Sequence, residues 1–131
     1  MSWSREPVAK ALVADFEAQL AAAGLSAAVL DRPTFTLTAP AIVVGRPTEV
    51  RYSMAALGVD EVVLPVGCVH SADSDDAVSE LIDVVRDAVE ADRTLGGVVG
   101  VAYASGERSW RNVNVAGADY LMADVTLEIQ M

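Results

Sequence analysis

The 131-residue chain holds a single cysteine, a single histidine and a single lysine, and each scarcity removes a class of chemistry. Cys68 has no partner for an internal disulfide, and within an apolar strand pattern it reads as a buried, inert thiol. One cysteine and one histidine do not close a zinc site without carboxylates. Lys10 lies far from Gly96, Gly97 and Gly100, so those glycines lack the Gly-Lys-Ser/Thr of a phosphate loop. Trp3, Tyr52, Tyr103, Trp110 and Tyr120 are too few and too dispersed for a base-stacking platform. No uninterrupted apolar run approaches the roughly 20 residues that cross a bilayer. The N-terminal MSWSREPVAK has no apolar signal core, which predicts a soluble protein made where it works, most simply in a cytoplasm.

Positive charge is scarce as well. Nine basic residues, scattered along the chain, face 19 acidic ones, for a net charge of −10. Gripping nucleic acid takes clustered Lys and Arg, so that class is excluded. Acidity of this size keeps a protein soluble and suits a surface that must not stick to DNA.

Recognisable catalytic motifs are missing too. A Ser-His-Asp site would have to use His70, and no Gly-x-Ser-x-Gly elbow presents a serine. Asp73, Ser74, Asp75, Asp76 and Glu80 faintly resemble a calcium loop. That loop needs an oxygen ligand at its fifth position, glycine at its sixth and glutamate at its twelfth, where this chain has Ala77, Val78 and Val84. Helix capping is the simpler reading of the aspartates. The chain is expected to be neither an enzyme nor a cofactor or metal binder.

What is present is pattern. From Asp73 to Gly97, Val78, Leu81, Ile82, Val85, Ala88 and Val89 recur at the spacing of one helical face, with charged residues between them. Asp73 or Ser74 suits the cap, the aspartates suit the positive end of the helix dipole, and Gly96-Gly97 supplies a stop. An earlier helix, opened by Pro7, places Val8, Leu12, Phe16 and Leu20 every four residues until Gly24.

The remainder reads as strands. Ser26–Leu30 fits a short one, Asp31–Ala39 an extended loop, Ala41–Gly45 a buried strand and Glu49–Tyr52 a half-solvated one. Val62, Leu64, Val66 and Cys68 share a face of the next strand, and Pro65 within it predicts an edge or a bulge. Val98–Ala104, Arg108–Val115 and Tyr120–Met131 form an expected meander, with turns at Ala104–Glu107 and Ala116–Asp119. Leu121, Ala123, Val125, Leu127 and Ile129 share one face of the last strand, and Asp124, Thr126, Glu128 and Gln130 the other. The order α-β-β-β-α-β-β-β predicts one α+β domain, a mostly antiparallel sheet packed on two amphipathic helices.

Apolar residues amount to 53%, and some fall where no core wants them. Met54, Ala55, Ala56 and Leu57 sit in an expected loop, Val113 and Val115 near a turn. Such a surplus marks a protein interface, or a loop folded back on its own core. The last strand, with Ile129 and Met131, either offers an edge to another subunit or lies inside its own sheet.

In this order of elements the chain resembles the tail terminator proteins of long-tailed bacteriophages, especially those of actinobacterial hosts. The likeness runs over nearly the whole length: the helix through Leu20, Pro40–Gly45, Val62–Val69 leading into Ser71-Ala72-Asp73, the second helix, Leu95–Val99, and Tyr120–Ile129. Asp31–Ala39 departs from the family in being richer in Thr and poorer in Pro. The resemblance implies a structural virion protein at the tail-neck junction, assembled in the host cytoplasm. It implies a hexameric ring that caps the tail tube, stops its polymerisation and meets the head-completion proteins. The tail tube protein would contact one face and the head-completion or connector protein the other, while genomic DNA passes through unbound and no membrane is involved. On this reading Met54, Ala55, Ala56, Leu57, Ile129 and Met131 are interface candidates, and Glu49, Asp124 and Glu128, on polar strand faces, are lumen candidates. Another neck or head-tail connector protein is the nearer alternative, and a small ligand-binding or enzymatic α+β domain the more distant one.

Overall fold

The computed structural model describes residues 3–33, 38–52 and 59–131. The apolar stripe at Val78, Leu81, Ile82, Val85, Ala88 and Val89 is buried along helix α2, Asp75–Ala91. Ser74 stands at the N-cap, but its hydroxyl meets Ser71 Oγ at 3.0 Å instead of a helix amide. Stabilisation of the first turn therefore falls to Asp75 and Asp76 at the positive end of the dipole. The helix stops before Arg93. Asp92 leaves helical geometry and its Oδ1 accepts the Gly96 amide at 3.1 Å, and the chain turns through Leu95, Gly96 and Gly97, all with positive φ.

Helix α1 spans Arg5–Ala23 and buries Val8, Leu12, Phe16 and Leu20, the four-residue repeat of the sequence. It ends at Gly24, whose φ of 71° lets its amide and that of Leu25 close on Ala21 and Leu20. The two helices pack on each other. α1 also touches strands β1 (Ala28–Leu30) and β2 (Ala41–Val44), while α2 covers β4 (Glu61–Ser71), β5 (Val101–Val115) and β6 (Ala118–Gln130).

The six strands form one sheet in the order β1-β2-β4-β6-β5, with β3 (Glu49–Arg51) also paired to β4. Among the described residues only β1 and β2 run parallel. The fold is α+β, and its core lies between the helices and one face of the sheet. Val62, Leu64, Val66 and Cys68 of β4 and the odd-numbered residues Leu121–Ile129 of β6 supply that face, as the alternation predicted.

Three expectations change. Ala104–Glu107 is not a turn: β5 runs through it, paired to β6 from Val101 to Val115. The described order is therefore α-β-β-β-β-α-β-β, with four strands before α2 and two after it instead of three and three. Register shifts at Ala104/Gly106 and Arg108/Arg111 take up the surplus residues as bulges, which keeps a long partner for β6 that a turn would remove. Pro65 is on neither an edge nor a simple bulge. It pairs with Thr126 on one side and lies where the other neighbour changes from β2 to β3, so its missing donor falls in a gap in the ladder. There Gly45 N–H donates to Pro65 O at 2.9 Å, and Thr48 N–H to Val63 O at 2.9 Å. Finally, of the two readings of the last strand, the internal one holds and the edge for another subunit does not. β6 is bonded to β4 and β5 along its length, and Ile129, 1% exposed, faces the core. The strand has no free edge, and the Ile129 side chain is taken up by the core. The half-buried Met131 donates its amide to Asp60 O at 3.0 Å.

Candidate functional site

The lumen candidates come together. Glu49 pairs in register with Val63, Val63 with Glu128, and Glu128 with Tyr103, so Glu49 and Glu128 lie in one row across β3, β4, β6 and β5. Asp124 is four residues from Glu128 on the same strand, hence on the same face, the one turned away from the helices. Two of the three acids are neutralised locally. Arg51 Nε lies 2.7 Å from Glu49 Oε1, and Arg111 Nη1 lies 3.3 Å from Asp124 Oδ2. The β3 pair is largely solvated and the Asp124 carboxylate more sheltered, so the second is the less screened of the two. Thr126 is buried on this face, and Gly67 receives the Met122 side chain over its Cα. The result is a face carrying charges of both signs, with Arg108, opposite Asp124 in register, as a lone cation without an ion pair among the described residues.

The other interface candidates, Met54, Ala55, Ala56 and Leu57, lie outside the described residues. Exposed apolar surface is found elsewhere: Trp110, 40% exposed, in the second bulge of β5, and Tyr52, 74% exposed, just after β3. Val113 and Val115 are half-buried near the β5–β6 turn.

Groups with chemical potential are spoken for. The Cys68 thiol is enclosed, and burial, helped by the charges of Asp124 and Glu107, pushes it up to about 12. It is protonated and unreactive at neutral pH. His70 Nδ1 accepts the Ser71 amide at 2.8 Å and lies 3.1 Å from the Ser71 hydroxyl, which ties the ring into the turn before α2. Among the described residues no three His, Cys, Asp or Glu side chains gather as metal ligands. No described helix is long and apolar enough to cross a membrane.

Two features had no signal in the sequence. The first is a pair of acids where α1 meets the end of α2. Asp15 Oδ2 is shut off from water with no donor to bond, beside the Asp92 carboxyl, itself an acceptor. Burial first, then the hydrogen bond and the charge of Asp92, raise Asp15 from near 3.8 to about 6. A proton on Asp15 gives the pair its missing donor.

The second is a cleft of about 500 Å³ between α1 and the edge strand β1. Ala9, Val13, Val29 and Leu30 make its apolar part, and Arg5, Lys10, Arg32 and Arg46 surround them with Glu6 and Asp31. Arg5 is structural, donating to the carbonyls of Asp31 at 2.6 Å and of Val44 and Gly45 at 3.0 Å. Arg32 pairs with its neighbour Asp31 at 3.2 Å. Lys10 and Arg46 are exposed and have no ion pair among the described residues. No protein-family model matches the chain, and no curated protein matches it.

Proposed function

We propose that this protein is a phage tail terminator: a ring-forming structural protein that caps the tail tube, halts its polymerisation and joins it to the head-completion proteins. The observation that carries the reading is the sheet face turned away from the helices. Glu49, Asp124 and Glu128 share it, and Arg51 and Arg111 are drawn into pairs with Glu49 and Asp124. Arg108, opposite Asp124 in register, is left as a single arginine there with no ion pair among the described residues. A wall of this kind lets a polyanion slide past, because counterion release needs unpaired cations in a row. The resemblance, which rests on a helix, strands, a second helix and further strands, supports the same reading, although two strands follow α2 where three were expected.

A direct test adds the purified protein to growing tubes of the tail tube protein. Tubes that stop at a uniform length with one cap at the growing end support the proposal. Tubes that lengthen unchecked overturn it, and binding to head-completion protein alone would identify a connector instead.

A further inference from the structure

Six subunits of net charge −10 repel one another unless each contact places opposite charges together. The charge along this chain is unevenly divided. Twelve of the 19 acidic residues but only four of the nine basic ones lie at or beyond residue 73. The fold turns that division into space. α1 lies over β1 and β2 at one lateral end of the sheet, and α2 lies over β4, β6 and β5 toward the other. The first end holds the cleft with its apolar floor and the unpaired Lys10 and Arg46. The second carries the solvent face of α2, where Asp76, Glu80, Asp83, Asp87 and Glu90 are exposed and Arg86 is the one cation of the helix, 3.9 Å from Asp83.

We propose that the α1–β1 cleft is a socket for the acidic face of α2 from a second copy of this chain. This rests on the ring reading above and names the two surfaces that meet. A head-to-tail contact needs two different, complementary patches on one subunit, and a ring closes when the rotation between neighbours does. Basic cleft and acidic helix are such patches, one at the β1 edge of the sheet and the other over β4, β6 and β5. The apolar floor adds buried area, and the charges set register and suppress like-to-like contacts.

The test is a charge swap read by absolute mass in solution. Lys10→Glu with Arg46→Glu changes two exposed side chains that have no ion pair among the described residues, so the fold is retained; Asp83→Lys with Asp87→Lys, made together with Glu80→Lys, reverses the other surface. Each variant alone is expected to need at least tenfold more protein to assemble than the wild type. Mixed one to one, the two restore assembly, because every second junction is then the wild-type pair and the others its mirror. Arg51→Glu with Arg108→Glu imposes the same change in net charge as the cleft variant on the helix-free face, and assembly is expected to persist. Wild-type rings indifferent to the cleft variant, a control as damaging as the cleft variant, or a mixture that fails to recover would each overturn the socket and leave the ring intact. A wild-type chain that stays monomeric at every concentration removes the ring reading itself, and the socket with it.

Discussion

Replacing Asp15 by asparagine should stabilise the protein at neutral pH, although it removes a charge from a helix. The folded chain holds the Asp15 proton up to about pH 6, whereas the unfolded chain releases it near 3.8. A carboxyl raised in this way contributes its stability fully below the unfolded value and loses it as pH rises through the folded one. Linkage over the whole interval amounts to roughly 3 kcal/mol at about 1.4 kcal/mol per pH unit. Asp15 is only half-buried, so solvent screening reduces the effect to about 1 kcal/mol. Asparagine cannot ionise, and its amide donates where the proton did, toward Asp92. Asp15→Asn should therefore exceed the wild type by about 1 kcal/mol at pH 7.5 and match it near pH 4. Urea unfolding of both proteins at the two pH values measures this directly, and taking the difference cancels the titration of the acids outside the Asp15–Asp92 pair. A variant less stable than the wild type at pH 7.5, or a difference that ignores pH, would refute the account of the pair.

Other consequences follow from packing. Phe16 is fully buried between α1 and the core, and Phe16→Ala should cost about 3–5 kcal/mol in chemical denaturation. A Cβ on Gly45 would stand 2.8 Å from Pro65 O and 2.9 Å from Pro65 Cγ. Gly45→Ala should then cost about 1–3 kcal/mol and loosen the β2–β4 junction, seen as faster exchange of the Gly45 amide. Cys68 should resist a thiol reagent at pH 8 in the native protein and react at once in denaturant; fast native labelling would contradict its burial.

Local pattern made both helices and the faces of β4 and β6 readable. The α2 stripe and the β6 alternation are properties of consecutive residues, and the core is built from them as written. Strand neighbours were another matter. Ser105-Gly106 has turn chemistry, yet the β6 ladder draws it into a bulge, and Pro65 sits inside the sheet because two short strands share the edge beside it. Whether β6 is an edge depends on where β5 returns, which no periodicity encodes. Of the site, Glu49, Asp124 and Glu128 were legible as polar-face residues, but their shared face and their arginine partners come from register. Asp15 and Asp92, 77 positions apart in the chain, and the basic residues of the cleft are gathered by topology alone.

The central claim, a ring of this chain, is tested most directly by absolute mass from light scattering behind a sizing column across a range of concentrations. A species of about 82 kDa, six subunits of 13.7 kDa each, or a mass that climbs toward it with concentration, is the expected result. A mass fixed at that of a monomer or dimer throughout would contradict it.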